Sequence, residues 1–314
     1  MRHLFLIELE RNPYLLLGCE PLSPIHGAER TLRHLHVISE LGEDRWQNPV
    51  MTDAPVLLDL SDGVATITLN RPDAMNSLDI ATKELLLEIV TQVAADPAAR
   101  CVVLTGTGRA FCTGQDLKEH IQLLHNGGSD QLFTTVDEHY NPIVSVLAGM
   151  EKPVIAAVNG VAAGAGASLA FACDLRVVAD TAGFNLAFAN VALSCDTGAS
   201  YHLPLLVGRA KAMELLYFPR TVKADEALAL GLATSVVSPD TLASDVAALA
   251  GRLAAGPTVA FGAIRRSVAY AAGHSFTEAL ELESAMMQKS GATRDHAAAV
   301  AAFVAKEKPV FEGR

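Results

Sequence analysis

Two loops rich in glycine and alanine constrain this chain more than any other feature, because each follows an apolar strand pattern and opens a helical one. The first runs from Gly108 to Leu117 and the second from Asn159 to Leu169. Small residues let a ligand approach the backbone, and the N–H groups of a helix N-terminus face that ligand with partial positive charge. One such loop proves little, since glycine often only tightens a turn. Two of them can supply two donors to one oxygen, which is what an oxyanion hole requires.

The segments around the loops alternate between strand and helix. Residues 56–60 and 64–69 are predicted strands joined at Asp62-Gly63, a hairpin signal. Residues 80–95 have helical spacing, while 101–104 and 153–158 are short apolar runs typical of buried strands. Beyond residue 207 the chain is mostly helical. The pattern predicts an α/β fold with crossover connections, followed by a helical region.

Residues 1–50 differ from the rest of the chain. They contain scattered prolines and histidines without a clear period, and strand patterns begin only after Met51. We therefore predict a poorly ordered N-terminal extension over residues 1–50, a core over 51–255 and a helical C-terminal region over 256–314.

Composition excludes several classes of protein. The net charge of -11 argues against binding of nucleic acid, which needs a basic surface. The five cysteines include no C-x-x-C pair, which argues against a disulfide framework or a zinc knuckle, and the ten histidines show no metal-binding spacing. No segment resembles a signal peptide or a membrane span. The prediction is a cytoplasmic protein without a metal site and without a membrane partner.

Other interpretations of the second loop find less support. A dinucleotide site of the short-chain dehydrogenase type needs a Tyr followed four residues later by Lys, and the sequence has none. A hydrolase built on Ser168, His202 and Asp196 lacks a complete nucleophile elbow. Asp196-Thr197-Gly198 copies the aspartic-protease triplet, but no second copy completes a dyad.

Five segments together resemble the crotonase (enoyl-CoA hydratase/isomerase) superfamily. They match in order from about residue 55 to 312: Asn70-Arg71-Pro72 with Asn76-Ser77-Leu78, then 110–117, 152–160, 173–176, and Lys306 with Lys308-Pro309 and Phe311. The resemblance implies a crotonase-type spiral of β/β/α turns with a helical C-terminal region. It also implies a homotrimer or a hexamer, and an acyl-CoA substrate.

The resemblance assigns roles to particular residues. The backbone N–H groups of Gln115 and Ala165 are the implied oxyanion donors, with Ala165 replacing the usual glycine. No separate cofactor is implied, since coenzyme A is part of the substrate. The segments that include Ala74, Met75, Ala110 and Leu117 are implied to line the groove for coenzyme A. Because coenzyme A is anionic and the chain is acidic, its phosphates need local basic residues, and Arg71 and Lys306 are the predicted ones.

The departures from the family pattern point to a particular chemistry. The two glutamates that deliver water in hydratases are replaced by Ser168 and Phe188, neither of which can act as a carboxylate does. Residues 193–201 instead resemble the loop of ring-epoxide phenylacetyl-CoA isomerases. They also resemble that of chlorobenzoyl-CoA dehalogenases, where the aspartate is a nucleophile and a histidine is the base. His139 is the histidine in the matching stretch, with a solvated position on a helix as the simpler interpretation.

Asp196 is accordingly the predicted catalytic base of an acyl-CoA isomerase. One carboxylate suffices for an isomerase when an oxyanion hole stabilises the enolate. The alternatives are an enoyl-CoA hydratase that uses unfamiliar groups and a degenerate protein that only binds CoA thioesters. Asp196 has a structural alternative as a turn residue beside Thr197 and Gly198, and Asp116 is predicted to cap the helix that follows it.

Overall fold

A two-residue turn at Asp62 and Gly63 forms the first hairpin. In the computed structural model, which describes residues 53–125 and 132–314, β1 (Val56–Ser61) pairs antiparallel with β2 (Val64–Leu69). Asp62 has φ 52° and Gly63 has φ 78°, the left-handed conformation that such a turn needs. The predicted hairpin is confirmed. The predicted N-terminal extension, residues 1–50, lies outside the described residues.

The first sheet lies within the hydrophobic core. After the hairpin come β3 (Cys101–Gly106), β5 (Val154–Val158), β7 (Leu175–Ala179) and β10 (Ser235–Val237), in the order β1-β2-β3-β5-β7-β10. All pairings after the hairpin are parallel. Every residue of β5 is buried. Because parallel strands are covered on both faces, they appear in the sequence as unbroken apolar runs.

The second sheet consists of short strands that repeat the order of the first. It contains β4 (Ala110–Cys112), β6 (Val161–Ala163), β8 (Gly183–Asn185) and β9 (Thr221–Lys223), in that order. The chain thus runs β3–β4 and then α2 (Leu117–His125), and later β5–β6 and then α4 (Ala165–Ala172). Since β3, β5 and β7 are neighbours in one sheet, and β4, β6 and β8 in the other, each turn stacks on the last. The predicted spiral of β/β/α turns is confirmed.

Two helices pack beside these turns. The first, α1 (Ile80–Ala95), is capped by Asp79, whose carboxylate accepts a hydrogen bond from the Thr82 amide at 2.9 Å. A π-helical turn, Val136–Tyr140, leads into the second, α3 (Asn141–Gly149). Pro142 at the start of α3 has no N–H to donate to the preceding turn, and the wider turn there agrees with that loss.

The remaining helices follow the third turn. The sequence indicates helix only beyond residue 207, whereas α5 (Ala199–Tyr217) begins earlier and bends at Gly208, which has φ 75° and ψ 156°. Pro204 and Gly208 hide the helical signal of this segment, because both residues normally end helices. The later helices are α6 (Ala224–Leu230), α7 (Leu242–Ala254), α8 (Thr258–Ala271), α9 (Phe276–Gly291) and α10 (Arg294–Ala305).

Two arginines join the C-terminal helices to the strands and helices before them. The Arg265 guanidinium on α8 donates to the carbonyl oxygens of Leu147 and Met150 and pairs with Asp174. Arg100 donates to the Gly256 carbonyl at 2.6 Å. Residues Met51–Arg314 accordingly form one compact unit. The predicted boundary between residues 255 and 256 falls in the turn between α7 and α8.

No single helix in the described part of the chain is both long and apolar enough to cross a membrane. On length and composition alone, α7 and α8 pass that test only together, as a pair bent by 101°.

Candidate active site

The first glycine-rich loop is held so that one amide faces outward. Leu78 forms an isolated parallel bridge with Gln115. In this bridge, the Leu78 N–H donates to the Gly114 carbonyl at 2.8 Å, and the Asp116 N–H donates to the Leu78 carbonyl at 3.1 Å. The Gln115 N–H lies between those two contacts and points away from Leu78. Among the described residues no acceptor contacts it.

The second loop presents another amide at a helix start. Gly164 has φ 50° and precedes α4, whose first residue is Ala165. The N–H groups of a first helical turn have no partner inside the helix, and no acceptor in residues 53–125 or 132–314 contacts the Ala165 amide. Ala165 is not among the residues with positive φ, so its methyl group is tolerated where the family pattern has glycine.

Glycine allows the two loops to pack against each other. A Cβ on Gly160 would lie 2.1 Å from the Arg109 carbonyl oxygen, and one on Gly166 would lie 2.2 Å from that of Cys112. A Cβ on Gly114 would lie 3.2 Å from the Ala165 nitrogen. Gly114, which precedes the open amide of Gln115, therefore lies against the open amide of Ala165. This arrangement suits binding of one negatively charged oxygen by two backbone donors.

Asp196 lies in the turn before α5. Thr197 and Gly198 follow it with φ 53° and 77°, and the buried Thr197 hydroxyl donates to Asp196 Oδ1 at 2.8 Å. The Asp196 side chain does not cap α5, since no side chain caps that helix and only the Asp196 carbonyl accepts from the Ala199 amide. Within the turn the carboxylate accepts from the Thr197 hydroxyl, and it does not serve as the cap of α5.

Burial sets the proton affinity of Asp196. Desolvation raises the pKa of its carboxyl group, and the Thr197 hydrogen bond, the Asp196 amide and the charge of Lys83 partly oppose that rise. Within the described residues Asp196 forms no salt bridge. A carboxylate with a raised pKa and without an ion-pair partner is suited to accept a proton.

A buried polar cluster lies behind the first amide, and it was not predicted from the sequence. Lys83 on α1 is 1% exposed. Its Nζ donates to Thr135 Oγ1 at 2.7 Å and to Gln115 Oε1 at 3.2 Å, and the Tyr140 hydroxyl donates to the same Gln115 oxygen at 2.6 Å. The available signal was the helical spacing of Lys83 with the buried residues Leu86, Val90 and Val93, which puts a charged residue on an apolar face.

His139 lies beside this cluster and is half-buried. Its Nδ1 is 3.1 Å from Thr135 Oγ1. Desolvation lowers the pKa of the imidazole, and the charge of Lys83 lowers it further. His139 thus contacts the cluster through Thr135 instead of standing free on a solvated helix face.

The residues predicted to bind coenzyme A differ in how far they are exposed to solvent. Ala74 and Met75 are half-buried, and Leu117 and Lys306 are exposed. Ala110 is fully buried in β4, so its side chain offers no surface to a ligand.

Arg71 is engaged in an internal network. Its guanidinium lies 2.9 Å from Asp79 and 3.0 Å from Asp116. Asp116 also accepts from the Lys118 amide at 3.0 Å, so its predicted role as a helix cap is confirmed. Burial acts to raise the pKa of Asp116, but hydrogen bonds, led by that from Arg71, outweigh burial and lower it.

The family resemblance puts Ser168 and Phe188 at the positions of the two hydratase glutamates, and neither side chain is a carboxylate. Ser168 is fully buried in α4, and its hydroxyl donates to the Gly164 carbonyl at 3.1 Å. Phe188 is 9% exposed in a short 3-10 helix. The predicted interpretation of Ser168 as a small helix residue agrees with this contact. No group of three or more His, Cys, Asp or Glu side chains suited to a metal ion occurs in the described residues.

The fold and the two open amides are the features expected of an enzyme that stabilises negative charge on a substrate oxygen. The chain matches the family described as Enoyl-CoA hydratase/isomerase over residues 59–314. It is 39% identical over 259 residues to the 1,2-epoxyphenylacetyl-CoA isomerase of Escherichia coli (strain K12), covering 82% of this chain and 98% of that one. It is 37% identical over 258 residues to a Rhodobacter capsulatus protein named as an enoyl-CoA hydratase, covering 82% and 97%.

A solved structure agrees with these relatives. The crystal structure of an enoyl-CoA hydratase/isomerase from Mycobacterium abscessus matches with a TM-score of 0.79 and 40% identity, covering 82% of this chain and all of that one. The chain belongs to the enoyl-CoA hydratase/isomerase family, the crotonase superfamily that the sequence motifs indicate. It is an enzyme of that family, and the family implies an acyl-CoA substrate.

Proposed function

We propose that this enzyme is an acyl-CoA isomerase that moves a double bond, or rearranges a ring epoxide, through a thioester enolate. One observation carries the proposal. Asp196 is a half-buried carboxylate with a raised pKa, while the family resemblance puts Ser168 and Phe188, which are not carboxylates, at the positions of the two hydratase glutamates. A site with one base suits a reaction that removes and returns one proton, and it lacks the pair of carboxylates that orients water.

The two open amides supply the electrostatic part of the reaction. The thioester oxygen accepts hydrogen bonds from the N–H groups of Gln115 and Ala165, and these bonds strengthen as negative charge develops on that oxygen. Loss of one such donor costs roughly 3–4 kcal/mol of transition-state stabilisation in well-studied oxyanion holes. Asp196 then removes a proton from the α carbon of a 3-enoyl thioester. It returns that proton to the γ carbon, so the carboxylate is regenerated.

The groove for coenzyme A is proposed to involve Ala74, Met75 and Leu117, whose surfaces are at least partly exposed. Lys306, exposed at the end of α10, is a candidate partner for a phosphate, either in its own chain or in a neighbouring subunit. Arg71 is a weaker candidate, because two carboxylates already neutralise its guanidinium. An exposed phosphate contact of this kind contributes on the order of 1 kcal/mol and weakens with salt.

A panel of substrates tests the proposal against its alternatives. The enzyme is incubated separately with crotonyl-CoA, a 3-enoyl-CoA and a ring-epoxide phenylacetyl-CoA, and chromatography with mass spectrometry resolves the products. The name of the Escherichia coli relative favours the ring epoxide, and that of the Rhodobacter capsulatus relative favours hydration. Isomers of unchanged mass support the proposal. Addition of water to crotonyl-CoA as the main reaction indicates a hydratase, and binding without any turnover indicates a degenerate protein.

Asp196→Asn is the direct test of the base. It keeps the size of the side chain and an oxygen for the Thr197 hydroxyl, so the CoA thioester should bind as before. Turnover should fall by roughly 10²–10⁴-fold, the usual contribution of a general base. Asp180→Asn, at an exposed position after β7, is the matched control and should be fully active.

Two results contradict the proposed role of Asp196. Full isomerase turnover by Asp196→Asn would show that another group is the base. An ester between Asp196 and the acyl group, found by mass spectrometry of the wild-type protein, would instead indicate the nucleophilic chemistry of the dehalogenases.

A further inference from the structure

Lys83 is buried at a position where a lysine reduces the stability of the fold. It is 1% exposed on the apolar face of α1, and desolvation lowers the pKa of its ammonium group. Burial of a charge destabilises a protein unless partners compensate for the lost water. Since an apolar residue would suit the helix face better, the partners of Lys83 should indicate what the residue does.

Those partners are side chains of the candidate site. The ammonium group donates to Thr135 and to the side-chain oxygen of Gln115, lies 4.0 Å from the Glu119 carboxylate, and is 5.3 Å from the centre of the Tyr140 ring. They come from the first glycine-rich loop, from α2 and from the segment leading into α3. None of them is a backbone carbonyl.

A second buried lysine provides a contrast within the same chain. Lys152 is 6% exposed, and its ammonium group donates to the carbonyl oxygens of Val93 at 2.8 Å and Asp96 at 2.7 Å. These carbonyls belong to the C-terminal end of α1, where a cation stabilises the helix. Lys152 therefore has a structural explanation that Lys83 lacks.

The Gln115 side chain is the point where the contacts converge. Its oxygen accepts from both Lys83 and Tyr140, and its amide nitrogen lies 3.4 Å from a Glu119 oxygen. A side chain held at both ends has little freedom to rotate. The backbone N–H of the same residue is the open donor of the first loop, so holding the side chain also limits rotation of that peptide group.

The charge of Lys83 also acts on Asp196, and the two groups favour each other's ionised form. Other titratable groups face the cluster as well. Besides Asp196 they are Asp79 and Glu84 near the start of α1, Cys112 in β4, Asp116 and Glu119 at α2, and Glu138, His139 and Tyr140 before α3.

We propose that Lys83 is a positioning residue of this enzyme: its buried ammonium group fixes the Gln115 peptide as an oxyanion donor and keeps a positive charge near Asp196. The inference rests on the proposed function for the role of Asp196 as a base. The part that concerns Gln115 requires only that the two amides bind a thioester oxygen.

Lys83→Met tests the inference, because methionine fills similar space without a charge or a donor. The first readout is the absorption of bound cinnamoyl-CoA, whose conjugated thioester shifts to longer wavelength when donors polarise its carbonyl. The second is the pH profile of kcat/KM. For Lys83→Met we expect a smaller red shift of the bound probe. Its kcat should fall by about 10- to 100-fold with little change in KM, the usual cost when a catalytic group is displaced by about 1 Å. The acid limb of its kcat/KM profile should move to higher pH.

The direction of the pH shift follows from the charges. Lys83 lowers the proton affinity of Asp196, so its removal should raise the pKa of that carboxyl group. A higher pH is then needed to ionise the base. Lys152→Met is the matched control, which should reduce stability while the red shift and the acid limb stay as in the wild type.

Two further variants keep the inference falsifiable if Lys83→Met does not fold. Lys83→Arg retains the charge and should keep the acid limb of the wild type. Gln115→Met removes the acceptor and should reduce the red shift while the acid limb stays in place. The inference is overturned if Lys83→Met has the red shift and acid limb of the wild type, or if Lys83→Arg moves the acid limb.

The same measurements separate this inference from the proposed function. If the wild type and Lys83→Met are equally active and polarise the probe equally, while Asp196→Asn is inactive, only the role of Lys83 is wrong. If the wild type shows no isomerase turnover but Lys83→Met reduces the red shift, the proposed function is wrong and the effect on Gln115 stands.

Discussion

A Cβ atom at Gly114 would lie 3.2 Å from the amide nitrogen of Ala165 and 2.9 Å from the carbonyl oxygen of Ala163. This relationship joins the two glycine-rich loops directly. Gly114 also has φ 83°, a conformation that residues with side chains rarely adopt. The absence of a side chain at this position therefore allows the two loops to approach each other this closely.

Gly114→Ala should disturb the amides more than it disturbs the fold. The left-handed conformation should cost about 1–2 kcal/mol of stability. The displaced loop should reduce turnover by about tenfold or more, because donors in an oxyanion hole act only in the correct geometry. Calorimetry and steady-state kinetics measure the two effects.

Gly251→Ala is the control for that substitution. Gly251 lies inside α7, and a Cβ there would have no neighbour within 4 Å. Its replacement should raise stability by roughly 0.5–1 kcal/mol and leave turnover unchanged, because glycine weakens a helix interior. Equal turnover by both variants would contradict the role given to Gly114.

The stability of the protein should depend on pH through Asp196. Burial raises the pKa of this carboxyl group in the folded state above its ordinary value of 3.8. A raised folded-state pKa contributes stability below the unfolded-state pKa, and that contribution is lost as the pH rises through the folded-state value. Above both values the ionised, partly desolvated carboxylate costs stability.

Asp196→Asn should therefore be more stable than the wild type at neutral pH and lose this advantage towards pH 3.8. Denaturant unfolding at a series of pH values measures the difference in the free energy of unfolding. A variant that is less stable than the wild type at neutral pH would mean that the carboxylate stabilises the turn before α5.

The C-terminal helices should mediate assembly into a trimer or a hexamer. In a single chain, Phe276 and Met287 on α9 are 79% and 73% exposed, and Phe303 on α10 is 84% exposed. Exposed apolar surface of this kind often marks an interface between subunits. Light scattering at micromolar concentration should give a mass that is a multiple of three chains.

Phe303→Lys should weaken that assembly, because a charge would have to be buried in the interface. Leu60→Lys on β1, at a position that is 41% exposed, is the control and should assemble as the wild type does. A wild-type protein that is monomeric at this concentration would exclude the proposed assembly.

Residues 1–50 should be dispensable for activity. The family match starts at residue 59, and β1 starts at Val56. A protein that starts at Met51 should have the same unfolding midpoint and turnover as the full chain. Loss of either property would show that the first fifty residues stabilise the enzyme.

The sequence by itself determined the local features. Asp62-Gly63 predicts a hairpin because few other pairs tolerate two positive φ angles, and Asp116 predicts a helix cap because its carboxylate can accept from nearby amides. The two glycine-rich loops predict open amides for the same kind of local reason. Family motifs along the chain then indicated the spiral fold, which the stacking of the two sheets confirms.

Only the tertiary structure decided which distant side chains meet. No local pattern joins Lys83 to Gln115 and Thr135, which are 32 and 52 positions away. The sequence also could not show that Asp79 and Asp116 neutralise Arg71. Local patterns arise from backbone geometry within a few residues. Contacts across a buried site depend instead on how the sheets and helices stack, and desolvation there decides which charged groups must find partners.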